Sequence, residues 1–124
     1  MTVTVQKSIA NGTVYAPPSK SAAHRALICG AFTSGSVIKN VAFSKDISAT
    51  LDCLKMLGVT VCVSGDTVKV GGLKIENLKS DNELFCDESG STLRFLLPIC
   101  MLTDKKITLS GAQKLLSRPL CAYE

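Results

Sequence analysis

The chain has 124 residues, 46% of them hydrophobic, and a net charge of +4 from 14 basic and 10 acidic residues. That length supports one modest domain with a real core, and the apolar share excludes a disordered chain. With 5% aromatic residues and no run of basic ones, the chain lacks the stacking platforms and charged tracts of a nucleic-acid binder. Its mild positive balance suits small acidic ligands instead.

The elements read as follows in chain order. Thr2–Gln6 alternates as a strand, Asn11-Gly12 turns, and Thr13–Tyr15 forms a short second strand. Pro17-Pro18 breaks regular structure, and a helix over Ser21–Phe32 follows, closed by Gly35. Ser36–Val41 is a strand. Ser44–Leu57 is an amphipathic helix with Ile47, Leu51, Leu54 and Leu57 at helical spacing, Ser44 or Asp46 as its cap and Gly58 as its stop. Val59–Val63 and Thr67–Val70 form a hairpin about Ser64-Gly65-Asp66. Glu83–Cys86 is a strand, Asp87–Ser91 a tight loop, and Thr92–Leu102 a helix that Pro98 kinks or shortens. Lys106–Ser110 is a strand, and Lys114–Leu116 a short turn before Arg118-Pro119. Two loop–helix–strand units recur, so the chain reads as α/β (α+β) built from a repeated βαβαββ block, with the second copy incomplete at Glu124.

Six cysteines, at 29, 53, 62, 86, 100 and 121, lie in apolar runs with no C-x-x-C spacing. They read as buried, reduced thiols of a cytoplasmic protein. No secretory signal opens the sequence, no apolar run approaches a membrane span, and a single histidine without clustered ligands speaks against zinc.

The chemistry concentrates at Ala16-Pro17-Pro18-Ser19-Lys20-Ser21-Ala22-Ala23-His24-Arg25. A stiff loop runs into a helix start, where unpaired backbone N–H groups and the positive end of the dipole attract anions. Lys20 adds a mobile point charge, Ser21 a hydroxyl, and Arg25 a planar fork one turn along the same face. The bland alternative is a serine-capped helix with solvated charges. The spacing of a Walker loop is missing. Asp87-Glu88-Ser89-Gly90-Ser91-Thr92-Leu93-Arg94 repeats the theme: Gly90 admits close approach to the backbone, Ser91 and Thr92 offer hydroxyls, and Arg94 adds a cation. Asp87 and Glu88 would repel an anion if they pointed inward, so they are expected to face elsewhere or to bind hydroxyls. Arg118 precedes a proline in extended backbone. His24, inside a helix, suits packing or hydrogen bonding better than catalysis. Arginine is rare here, at positions 25, 94 and 118 only, and is the better holder of carboxylate or phosphate.

Pro18-Ser19-Lys20-Ser21-Ala22-Ala23-His24-Arg25-Ala26-Leu27, Glu88-Ser89-Gly90-Ser91-Thr92-Leu93-Arg94 and Arg118-Pro119-Leu120 resemble, in order and spacing, the motifs of the 3-phosphoshikimate 1-carboxyvinyltransferase (EPSP synthase) family. Asp46 and Leu57-Gly58 also fit. The resemblance implies transfer of the enolpyruvyl group of phosphoenolpyruvate to the 5-hydroxyl of shikimate 3-phosphate, with release of phosphate, in the shikimate pathway of aromatic amino-acid biosynthesis. Glyphosate mimics phosphoenolpyruvate in this family. Carried over by position, Lys20 touches both substrates and is the catalytic residue. Ser21 and Arg25 hold shikimate 3-phosphate, and Gly90 and Arg118 hold phosphoenolpyruvate with Arg94 beside them. The resemblance implies no metal and no organic cofactor, and composition and the lack of long apolar runs speak against a nucleic-acid or membrane partner.

Two departures stand out. Many family members have Asn-Ala-Gly-Thr where this chain has Glu88-Ser89-Gly90-Ser91, and a proline at the place of Phe95. The family enzyme is several-fold longer and has two domains of repeated units that close over the substrates. On this basis residues 1–15 are expected to belong to a second domain otherwise missing, and residues 16–124 to be the first unit and part of the second. The family's aspartate and Lys/Glu pair for proton transfer lie in the C-terminal part. The chain is therefore expected to be an N-terminal fragment, inactive alone, with exposed surface open to self-association. Two alternatives are a non-catalytic anion-binding module and the related enolpyruvyl transferase acting on UDP-N-acetylglucosamine, which has Lys-Asn in place of Lys20-Ser21.

Overall fold

The computed structural model of the chain describes residues 2–9, 11–78 and 81–123. Met1, Ala10, Lys79, Ser80 and Glu124, which belong to the domain spans expected from the sequence, lie outside the described residues. Two small sheets share one core with three helices. Helix α1 is Lys20–Ala31, strand β1 Ser36–Ile38, helix α2 Lys45–Met56, and strands β2 and β3 are Thr60–Ser64 and Thr67–Gly71. Strand β4 is Asn82–Phe85, helix α3 Gly90–Cys100, strand β5 Ile107–Ser110 and helix α4 Gln113–Leu116. Short 3-10 turns occupy Ile75–Asn77 and Cys121–Tyr123.

The first sheet has the order β1-β3-β2, with β3 antiparallel to both neighbours. The register sets Val61 opposite Val70 and Ile38 opposite Val68, so one face carries the valines that meet α1 and α2. The second sheet pairs β4 and β5 in parallel, with Leu84 opposite Leu109, and α3 makes the crossover between them. Parallel neighbours need such a crossover.

Each main helix starts at a serine. Ser19, Ser44 and Ser89 are extended N-caps whose hydroxyls accept from the N–H of Ala22, Ile47 and Thr92. In α2, Ile47, Leu51 and Leu54 recur on the buried face, and Gly58 ends the helix at φ +88, a conformation that disfavours any side chain. These residues join Leu27, Val68, Val70, Leu84, Leu96 and Leu115 in one core. Burying a leucine of this kind stabilises by about 1.5–3 kcal/mol.

The structure changes several expectations. Thr2–Gln6 and Thr13–Tyr15 form no strand. A strand needs a partner backbone, and among the described residues none pairs with these segments, whose Val5, Val14 and Tyr15 are almost fully exposed. The first helix is closed by Phe32 as its C-cap, ahead of Gly35. Helix α3 begins at Gly90 rather than Thr92, because Ser89 is the cap, and it continues two residues past Pro98. All six cysteines are free, but Cys29, Cys62 and Cys121 lie at the surface rather than inside. Of the others, Cys53 and Cys86 are buried and Cys100 is half-buried. The Cys53 thiol is pushed up by its hydrogen bond with Cys86 and by burial, and burial pushes Cys100 up to about 11, so neither is a thiolate at neutral pH.

Candidate active site

The starts of α1, α2 and α3 converge on one side of the core. Lys20, in the first turn of α1, reaches across to Asp46 in the first turn of α2, with Nζ donating to Oδ2 at 2.7 Å. Beside this pair opens a cavity of about 510 Å³ lined by Lys20, Asp46, Glu88, Gly90, Ser91, Arg94, Phe95 and Arg118. Five of the eight substrate-site positions expected from the sequence therefore share one wall.

Arg118 reaches the cavity because the chain after β5 is tied to the loop before α3. Cys86 N–H donates to Ser110 O at 2.8 Å, and Ala112 N–H donates to Asp87 O at 2.8 Å. Asp87 takes φ +52 at the turn, and Ser89 N–H closes it onto Cys86 O at 2.9 Å. Helix α4 then carries the chain to Arg118, whose guanidinium lies over Gly90. A Cβ at position 90 would stand 2.8 Å from Arg118 Nη1, closer than packing allows. Only glycine leaves that space open.

The remaining expected residues are placed differently. Arg25 does not line the cavity, but its guanidinium lies 5.8 Å from the centre of the Phe95 ring, within cation–π range. Ser21 is exposed near the start of α1 and lies outside the cavity lining. Thr92 is fully buried and its hydroxyl is engaged by Ser89 and Thr50, so it is no ligand donor. Of the two roles expected for Asp87 and Glu88, facing elsewhere or binding hydroxyls, only the second is left for Glu88, which lines the cavity together with Asp46. Asp87 lines a separate groove of about 630 Å³ with Cys53, Met56 and Phe85. That groove holds no arginine and is not where the cations meet.

His24 is buried, as expected for a packing role, and its Nδ1 lies 2.8 Å from Thr50 Oγ1. Loss of solvent holds its pKa below the usual value; nearby Asp46 opposes that shift and Lys20 adds to it. Sequence reasoning missed the hub, Thr50, which looks like an ordinary threonine in the polar part of a helix. Its only trace was the i+4 spacing from Asp46. Among the described residues, no group of histidine, cysteine or carboxylate side chains could hold a metal ion.

The chemistry of the cavity is that of an anion holder. One lysine and two arginines face it, and the first N–H groups of α3 open beside Gly90. Asp46 and Glu88 offset part of that charge, so a guest with hydroxyls as well as anionic groups fits better than a bare anion. The family model described as EPSP synthase (3-phosphoshikimate 1-carboxyvinyltransferase) matches residues 5–122. The chain belongs to the EPSP synthase family. It is 44% identical over 125 residues to the 3-phosphoshikimate 1-carboxyvinyltransferase of Clostridium perfringens strain SM101, covering 98% of this chain and 29% of the relative. It is 43% identical over 122 residues to that of Clostridium kluyveri, covering 98% and 28%. The fold matches the solved EPSP synthase from Acinetobacter baumannii with a TM-score of 0.72 at 26% identity, over 88% of this chain and 26% of that one. This EPSP synthase family chain thus spans between a quarter and a third of the length of the relatives it matches.

Proposed function

We propose that this chain supplies one anion-holding wall of an EPSP synthase active site, in a protein that transfers the enolpyruvyl group of phosphoenolpyruvate to the 5-hydroxyl of shikimate 3-phosphate and releases phosphate. The observation that carries this reading is the convergence of Lys20, Arg94 and Arg118 with Gly90 and Ser91 on one cavity. Both substrates are polyanions with oxygen-rich groups, which is what that wall fits.

In this reading Lys20 lies between the two substrates and is the catalytic residue of the chain. Arg118 and the backbone at Gly90 take phosphoenolpyruvate with Arg94 beside them, and Ser21 and Arg25 take shikimate 3-phosphate. Addition bonds the 5-oxygen to C2 of phosphoenolpyruvate as the hydroxyl gives up its proton and C3 gains one. Elimination then breaks the bond to phosphate and removes a proton from C3. Fixed cations hold both reactants together and stabilise charge as it develops on the departing phosphate. The proton-transfer groups come from the longer part of the family protein, so this chain alone is inactive. No metal or organic cofactor takes part.

Residues 1–15 are assigned to a second domain, where Thr2–Gln6 and Thr13–Tyr15, unpaired among the described residues, would find strand partners, and residues 16–124 to the first βαβαββ unit and part of the second. The unpaired apolar side chains of Val5, Ile9 and Tyr15 support that assignment and leave the chain open to self-association. A cytoplasmic setting is supported by the six free cysteines, and among the described residues no helix is long and apolar enough to cross a membrane.

Amide NMR titration with phosphoenolpyruvate and with shikimate 3-phosphate, using Lys20→Ala and Arg25→Ala as controls, tests the reading. Saturable shifts over residues 19–25 and 88–94 are expected, with those from shikimate 3-phosphate lost in both variants. A well-dispersed spectrum that neither substrate perturbs refutes it.

A further inference from the structure

Behind the cavity a line of buried side chains joins the three helices. His24 Nδ1 lies 2.8 Å from Thr50 Oγ1, Thr50 Oγ1 lies 2.7 Å from Thr92 Oγ1, and Thr92 Oγ1 lies 2.7 Å from Ser89 Oγ. All four residues are at most 2% exposed. None of them lines the cavity, and the proposed function uses none of them.

Each hydroxyl has one proton to give, so three short contacts in series are satisfied when the bonds run in one sense. Thr92 donates to Ser89. Thr50 then donates to Thr92, and the N–H on Nδ1 of His24 donates to Thr50. The Asp46 carbonyl, 3.1 Å from Thr50 Oγ1 and 3.4 Å from Thr92 Oγ1, sits beside both as a weaker acceptor. Burial keeps the imidazole neutral, so it has one N–H only. With that proton on Nδ1, the partnerless Nε2 is a buried lone pair. The opposite tautomer would strand a buried N–H, the rarer and costlier orphan.

The members of this line stand where they govern the cavity. His24 is one turn behind Lys20 on α1, and Thr50 is one turn behind Asp46 on α2. Thr92 lies in the first turn of α3, between Ser91 and Arg94. We propose that Thr50 is a positioning residue for the anion cavity. Its hydroxyl, the middle link between α1 and α3, sets the spacing of the helix starts and so the separation of Lys20 from Gly90, Ser91 and Arg94. The inference rests on the reading of this cavity as the holder of phosphoenolpyruvate.

Phosphoenolpyruvate titrations of the labelled chain, its Thr50→Val variant and its Thr50→Ser variant, read by NMR with the imidazole nitrogens of His24, decide it. The valine keeps the shape and removes the hydroxyl, and is expected to weaken binding tenfold or more in a spectrum that stays dispersed. The serine restores the link and binds within twofold of wild type. His24 shows its proton on Nδ1 in wild type and in the serine variant. Wild-type binding that Thr50→Val retains overturns the inference alone, whereas a wild-type chain that takes no phosphoenolpyruvate overturns the reading of the cavity as well. Should the valine variant fail to fold, loss of binding in Thr50→Ser, or an Nε2–H tautomer in wild type, overturns the inference.

Discussion

The Tyr123 hydroxyl donates to the backbone carbonyl of Arg94 at 3.0 Å. The partner that carbonyl would have in a regular helix is the N–H four residues on, and position 98 is proline, which has none. Tyr123 thus completes the hydrogen bond that Pro98 removes, and it does so from the turn just after Arg118. One contact ties together two segments that each carry a cation of the cavity.

Tyr123→Phe removes only that hydroxyl. A partly exposed bond of this kind is worth about 0.5–1.5 kcal/mol, which lowers the melting temperature by roughly 4 °C in a chain of this size. Thermal melting by circular dichroism checks the figure. An unchanged melting temperature would show that water replaces Tyr123 at the carbonyl without loss.

Gly90→Ala puts a Cβ 2.8 Å from Arg118 Nη1. The obstructed atom is the end of a flexible side chain, so the fold survives, and alanine is the better helix former by up to about 1 kcal/mol. The expected result is unchanged or slightly raised stability together with phosphoenolpyruvate binding weakened about tenfold, the equivalent of roughly 1.4 kcal/mol. Calorimetric titration beside a thermal melt separates the two effects. Unchanged affinity would mean that Arg118 reaches the guest from elsewhere.

Much of this arrangement was legible in the residues. The spacing of Ile47, Leu51 and Leu54 with Gly58 behind them defines α2 to within a residue at each end, because period and stop agree. Lys20, Gly90 and Arg94 stood out because cations and a glycine near helix starts are a local signal, and Arg118 because it is one of few arginines and precedes a proline. What was not legible depends on partners far along the chain. The segments 2–6 and 13–15 have the alternation of strands, but pairing is a property of two segments, and among the described residues none pairs with them. Thr92 has the sequence setting of a ligand because Ser91 and Arg94 beside it line the cavity; only the packing of α2 against α3 shows its hydroxyl turned toward Thr50. Likewise nothing local reveals that Asp46, twenty-six residues away, holds Lys20.

That ion pair suggests a variant with a gain. Asp46 is 31% and Lys20 55% exposed at the side chain, so the pair itself contributes little to stability, about 0–1 kcal/mol. Asp46→Asn also loses a favourable charge in the first turn of α2, costing about 0.3–1 kcal/mol. In return it frees the Lys20 ammonium and removes one negative charge from the cavity wall. Binding of inorganic phosphate to the chain is expected to tighten a few-fold, with a steeper dependence on salt. Weaker phosphate binding in Asp46→Asn, measured by calorimetry at low ionic strength, would show that the pair is needed to hold Lys20 in place.

His24 is expected to make the fold sensitive to acid. Its pKa in the folded chain lies below the ordinary 6.5, chiefly because burial disfavours the imidazolium, with Asp46 opposing the shift and Lys20 adding to it. The unfolded chain therefore binds the proton more readily than the folded one. Stability from this residue is complete above about pH 6.5 and falls as the pH drops below it, by at most about 1.4 kcal/mol per pH unit until the folded pKa is reached. The orphaned Nε2 gives an added proton no hydrogen-bond partner, so the charge of Asp46 offsets only part of the cost. His24→Asn starts from a lower stability, because it disturbs the bond to Thr50, but removes this slope. Urea midpoints at pH 5, 6 and 7.5 are expected to rise across the series for wild type and to rise less for the variant. Parallel slopes in the two proteins would place the acid sensitivity in other groups.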